Sequence, residues 1–157
     1  MQNTHEPFLF LKIGGQTIAI EGSSVLQVET VASMMPIHDP AAHASGLIAF
    51  KDEIIKVSDL SHLIPLVETT APAYVVIMKT DAGPKGLLAH KTFGIENIDP
   101  LKIRKNSAGV MKELQHITKG VIAYNNKEVP ILSARSAATL ASKASLSEPM
   151  AQAAALL

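Results

Sequence analysis

Two stretches of this chain spell the same hairpin. GLIAFKDEIIKVSDL runs from Gly46 to Leu60 and GVIAYNNKEVPILSA from Gly120 to Ala134. They align without a gap, Gly46 with Gly120, Ile48 with Ile122, Ala49 with Ala123, Phe50 with Tyr124, Ile55 with Val129 and Val57 with Ile131. Each copy has two short apolar runs around polar turn residues, the pattern of strand, turn, strand. The duplication extends upstream. FLFLKI and QTIAIE flank Gly14-Gly15, a pair able to take the positive φ of a tight hairpin. YVVIMK, the turn TDAGP and KGLLAH repeat that grammar. GSSVLQVETV comes after the first pair and KTFGIENI after the second. Ser23 or Ser24 is expected to cap a short helical turn that ends before Pro36.

The two copies of the hairpin stand 120 − 46 = 74 residues apart. A unit of that size with four or more strands curls into a small barrel, and two such units packed together hide edges and faces that neither covers alone. The expected fold is all-β, two small β-barrels packed together, with short helical connecting segments. Composition agrees: 47% hydrophobic residues, 4% aromatic and 18% charged is a globular chain with a core of Ile, Val, Leu and Ala. After Ala134 the texture turns Ala- and Ser-rich. A short C-terminal helix around 136–143 is expected by propensity, and residues 145–157 are expected to be a tail.

The charge balance narrows the function. Net charge is zero and arginine occurs only at Arg104 and Arg135, which leaves little to grip a phosphate backbone, and aromatic residues for base stacking are scarce. Nucleic acid is therefore not an expected partner. The absence of cysteine excludes disulfides and thiolate metal sites and fits a reducing compartment. MQNTHEPFLFLKIGG has no basic leader, and its apolar run is only four residues long where a membrane span needs about 20. A cytoplasmic protein without membrane insertion is expected.

Chemistry-bearing constellations are thin. His38, Asp39 and His43 share a loop, but no third ligand at a supporting spacing accompanies the histidines. Ser58, Asp59 and His62 lie close in sequence, yet strand alternation turns Ser58 and Asp59 to opposite faces and no Gly-x-Ser-x-Gly elbow surrounds the serine. No metal, cofactor or catalytic residue is expected. A protein-binding surface on a β domain needs outward apolar side chains ringed by polar ones, and Val25 and Val28, flanked by Gln27 and Glu29, meet that description. The residues leave two function classes open, a binding adaptor and a small β-barrel that holds a small molecule or acts as an enzyme at the barrel interface.

The order of these motifs resembles the CheW-like domain, the adaptor module of bacterial chemosensory arrays, over about residues 7–141. FLFLKIGGQTIAIEGSSVLQV resembles the family's opening strands. GLIAFKDEIIKVSDL resembles its Gly-Val-Ile-Asn-Leu-Arg-Gly hairpin, YVVIMK with KGLLAHKTFGI its second opening, and ITKGVIAYNNKEVPILSA its closing hairpin. The resemblance implies two intertwined barrels and binding without chemistry. Its implied partners are a chemoreceptor cytoplasmic tip and the regulatory domain of a CheA-type histidine kinase. The implied partner-binding residues are Val25, Gln27, Val28, Lys51, Asp52, Gly86 and Leu87. The chain departs from the family at several places. Lys51 and Asp52 stand where the family has Arg-Gly, Gln27 and Ser133 where carboxylates are frequent, and His90-Lys91 where it has an acidic pair. These departures suggest a paralogue with a changed partner, in a twitching or type IV pilus system.

Overall fold

The structure, a computed structural model, describes residues 5–37, 45–61, 64, 70–105, 115 and 117–134. The C-terminal helix expected around 136–143 and the loop histidines His38 and His43, with Asp39 and His62, lie outside them.

The first hairpin forms as its sequence demands. Strands β1 (Glu6–Ile13) and β2 (Gln16–Glu21) pair antiparallel around the two glycines, with Ile13 opposite Gln16 and Gly14 at φ 60°. The segment after β2 departs from expectation. Gly22–Ser24 makes a 3-10 turn, Glu21 holds the cap position with no side-chain cap bond, and the chain extends at once into β3 (Val25–Thr30), with a second 3-10 turn at Val31–Ser33. The expected serine-capped helical turn is thus a strand. Its β-branched valines favour extended backbone, and a neighbour is available for pairing. That neighbour belongs to the other sequence repeat: β3 pairs with β7 (Tyr74–Thr80).

After a short edge strand β4 (Met35–Pro36), β5 (Gly46–Phe50) and β6 (Glu53–Ser58) form the first copy of the duplicated hairpin. The second half repeats the plan. Strand β8 (Gly83–Ala89) pairs with β7, β9 (Lys91–Ile98) returns to β1, β10 (Ile103–Arg104) is the short edge, and β11 (Thr118–Tyr124) with β12 (Lys127–Leu132) is the second hairpin. The strand orders are β10-β11-β12-β2-β1-β9 and β4-β5-β6-β8-β7-β3. Substituting each strand by its repeat partner converts one order into the other. Each curled sheet is a half-barrel built from both repeats, so the lobes are interleaved in sequence as well as packed in space.

The internal two-fold extends to side chains. One lobe core gathers Phe8, Phe10, Ile122, Val129 and Ile131, and the other gathers their counterparts Val75, Ile77, Ile48, Ile55 and Val57. A third cluster, with Leu9, Leu11, Ile13, Ile20, Val76, Met78 and Leu87, lies between the sheets. Strand β1 alternates between two of these cores, Phe8 and Phe10 to one and Leu9, Leu11 and Ile13 to the other. This explains why FLFLKI reads as a continuous apolar run instead of an amphipathic alternation. Burying a side chain such as Leu11 contributes about 1.5–3 kcal/mol.

The glycines that open the duplicated hairpins have a packing reason. A Cβ on Gly46 would stand 2.8 Å from the carbonyl oxygen of Met35, and one on Gly120 would stand 2.8 Å from that of Arg104. In both lobes the short edge strand presses its backbone against that position.

The two-residue turns show the cost of the Lys51-Asp52 sequence. Lys51 (φ 46°) and Asp52 (φ 65°) both occupy left-handed backbone, as do Asn125 (φ 50°) and Asn126 (φ 62°) at the equivalent turn. Asparagine tolerates this conformation, whereas lysine is strained there by roughly 1 kcal/mol. Replacing Lys51-Asp52 by Asn-Gly is therefore expected to stabilise the protein by about 1 kcal/mol, a rise of about 2–4 °C in Tm for a chain of this size. A thermal melt of that variant at or below the parent would refute the strain argument.

His90 is the single residue between β8 and β9, at the point where the chain crosses from one sheet to the other. By the resemblance His90-Lys91 reverses the charge of the family's acidic pair, and of the two His90 is only 8% exposed. Its backbone N–H donates to the carbonyl of Lys12 at 2.7 Å, and its Nδ1 accepts the Gly14 N–H at 3.0 Å. The ring therefore holds the β1–β2 turn against the crossover. His90→Leu leaves the Gly14 N–H without its acceptor and is expected to cost about 1–3 kcal/mol in chemical denaturation. An unchanged midpoint would show that water replaces the ring without loss.

Candidate protein-docking site

Among the described residues strand β3 is the edge of its sheet, with a strand neighbour on one side of its backbone only. Its register slips between Val25 and Gln27: Val25 faces Met78, Gln27 faces Ile77, and Leu26 has no partner. This bulge rotates Leu26 outward, where it is 42% exposed, and Val28 beside it is 38% exposed. Val25 is half-buried and packs against the core between the sheets. Gln27 is exposed and donates from Nε2 to Glu29 Oε2, so the amide is aligned by a neighbouring carboxylate. An apolar pair on a free sheet edge, flanked by an amide and a carboxylate, is equipped to dock a protein surface.

Lys51 and Asp52 are exposed at the β5–β6 turn, with the Lys51 Nζ 5.4 Å from the Phe50 ring centroid. The other lobe shows how such a turn meets the crossing strand. There the Tyr124 hydroxyl donates to Glu96 Oε2 at 2.8 Å, tying the β11–β12 hairpin to β9. This bond, with burial and the Glu96 charge, pushes the Tyr124 pKa above its ordinary value, so the hydroxyl keeps its proton and remains a donor. At the equivalent positions the β3 lobe has Phe50 and Glu29, a pair without the hydroxyl. By the internal two-fold, the Lys51 turn and β3 flank one seam.

The remaining two expected site residues are placed differently. Gly86 and Leu87 are buried, Leu87 at 1% exposure. Gly86 sits at the parallel junction of β8 with β6, opposite Val57, where a Cβ would lie 2.8 Å from Val57 Cγ2. Their role is packing: glycine allows the parallel strands to approach and leucine fills the shared core. Of the seven expected residues, five thus lie on β3 or at the Lys51 turn, with Val25 half-buried among them, and two are buried in the core. Sequence reading also missed Leu26, because the segment reads as a helical turn, and nothing in the sequence marks the strand bulge. Its counterpart on β9 is Phe93, skipped in the β1 register in the same way and 52% exposed, with Ile95 next to it at 56%.

Ser58 ends β6, and the Asp59 carboxylate accepts the Ser61 N–H at 2.8 Å, a local turn bond. Among the described residues no group of three or more His, Asp or Glu side chains is arranged to hold a metal ion. None of their helices is long and apolar enough to cross a membrane.

The sequence matches the CheW-like domain over residues 7–142. The chain belongs to the CheW-like domain family. Its fold is that of the scaffolding protein TtCheW from Thermoanaerobacter tengcongensis, which it matches with a TM-score of 0.71 at 16% identity, over 84% of this chain and 91% of that one. No match was found among curated protein sequences. A CheW-like domain is a non-catalytic scaffold of chemotaxis signalling.

Proposed function

We propose that this chain is a cytoplasmic adaptor that couples a chemoreceptor tip to a CheA-type histidine kinase. The observation that supports the reading is the exposed apolar pair Leu26 and Val28 on an edge strand, with the exposed Lys51 turn in the same sheet. Such a surface supplies apolar contact area together with a charge that selects among partners. Lysine at the turn, where the family has arginine, offers a point charge without a planar fork, which favours a partner altered to match. The same departures support service in a type IV pilus or twitching pathway.

Affinity capture from native lysate with the full chain as bait tests this. Mass spectrometry is expected to recover a CheA-type kinase or a chemoreceptor, and recovery of neither would refute the adaptor reading. A pilus-associated kinase in place of a flagellar one identifies the pathway.

The domain is proposed to end near residue 141, with 142–157 as a tail that serves the fold little. Deleting 145–157 is expected to change stability by about 1 kcal/mol or less, a Tm shift of about 2–4 °C at most. An insoluble or unfolded truncation would show that the tail belongs to the domain.

A further inference from the structure

The lobe closed by Tyr124 and Glu96 contains a cleft apart from the proposed docking residues. It has a volume of about 230 Å³ and opens between β9 and the tip of the β11–β12 hairpin. Phe10, Phe93, Tyr124 and Val129 line it together with the polar Thr17 and Asn125 and the charged Glu96 and Lys127. Phe10 and Tyr124 hold one another with ring centroids 4.8 Å apart at an interplanar angle of 42°, which fixes one wall. A cavity of about 150 Å³ accepts a benzene ring, so this cleft has room for one aromatic ring and a short side chain.

The rim specifies what that side chain carries. Lys127 is exposed, and no described residue forms an ion pair with it. Glu96 is half-buried and accepts the Tyr124 hydroxyl on Oε2, leaving Oε1 to accept from a ligand. One ammonium and one carboxylate over an aromatic floor are complementary to a molecule with a ring and both charges of opposite sign.

The duplicated lobe serves as an internal comparison. At the equivalent positions it has Ile77 for Phe10, Leu26 for Phe93, Phe50 for Tyr124 and Glu53 for Lys127. The ring-stacking wall and the rim cation are therefore properties of one lobe, and are not imposed by the fold.

We propose that this cleft binds a free aromatic amino acid, its ring between Phe10, Phe93 and Tyr124, its carboxylate on Lys127 and its ammonium on Glu96. The proposal is independent of the adaptor reading, since it concerns the opposite lobe and a small ligand.

Titration of the full chain with L-tryptophan and L-phenylalanine, followed by calorimetry and by ligand-observed NMR, tests it. Saturable one-site binding is expected with a Kd of about 1 mM or below, in keeping with the size of the ligand. Tryptamine, which lacks the carboxylate, and N-acetyl-tryptophan, which lacks the ammonium, are each expected to bind roughly tenfold or more weakly, the effect of losing one hydrogen bond to a charged group. Lys127→Met, which keeps the apolar stem, should abolish the preference for L-tryptophan over tryptamine. Glu96→Gln, which keeps an acceptor for Tyr124, should abolish the preference over N-acetyl-tryptophan. Circular dichroism melts verify that both variants are folded, and the comparison of ligands on the parent chain decides the matter without any variant. Absence of saturation with either amino acid, or binding of tryptamine and N-acetyl-tryptophan as tight as that of L-tryptophan, would overturn the proposal.

Discussion

Lys51→Glu is expected to abolish capture of the kinase or receptor while leaving the melting curve within about 2 °C of the parent. The folding half of this expectation follows from exposure. Lys51 lies at a solvated turn, and glutamate inherits the same left-handed backbone strain, so the stability change is about 0.5 kcal/mol or less. The binding half follows from sign. A partner surface shaped for a cation meets an anion at the same place, and such a reversal costs about 2–5 kcal/mol through repulsion and an unmatched charge. A second substitution probes the apolar half of the seam. Val25→Asp would put a charge on a half-buried side chain that packs against the core, at a cost in folding that confuses the result. Val28→Asp avoids this, because Val28 is 38% exposed. Surface plasmon resonance with the captured partner measures both variants. A folded Lys51→Glu protein that binds at parental affinity places the docking surface elsewhere on the molecule.

What the sequence reveals of this site depends on which physical effect positions each residue. Hairpins are local, so Gly14-Gly15, Lys51-Asp52 and Asn125-Asn126 are legible as turns from a few neighbouring residues, and the duplicated pattern shows that two lobes exist. The crossing strands are not local. GSSVLQVETV has the cap residues of a helix, and only its pairing with β7, from the other repeat, makes it extended. Gly86 and Leu87 belong to a motif associated with partner binding, yet burial at a parallel strand junction depends on β6, nearly thirty residues earlier in the chain. The burial of His90 is not legible because nothing nearby in sequence indicates that the Gly14 N–H will point at its ring. The bulges at Leu26 and Phe93 decide which apolar residues face outward, and period-two alternation is blind to them. In each case the sequence states the residue type, and contacts across the internal two-fold decide its role.

That same interleaving leads to an expectation about unfolding. Phe10→Ala empties part of one lobe core, Ile77→Ala the equivalent place in the other, and Leu11→Ala the cluster between the sheets. All three residues are buried, at 3%, 0% and 0% exposure, so each truncation is expected to cost about 2–5 kcal/mol through lost burial and the cavity left behind. If the lobes were separate beads on a chain, a cavity in one would leave the other at parental stability and split the transition. The topology opposes this. Strand β1 contributes Phe10 to one lobe core and Leu11 to the shared core, while β9, which pairs with β1, is covalently continuous with β8 in the other sheet. Melting either sheet therefore strips a pairing partner from an element whose neighbours hold the other. All three variants are expected to unfold in one transition with a lowered midpoint. Native-state hydrogen exchange should report the same opening free energy for core amides of β1 and β7. Two resolved transitions in Phe10→Ala, with β5–β8 amides still protected after β11 and β12 have exchanged, would show that each half-barrel holds itself together and that the strand exchange joins two independently stable lobes.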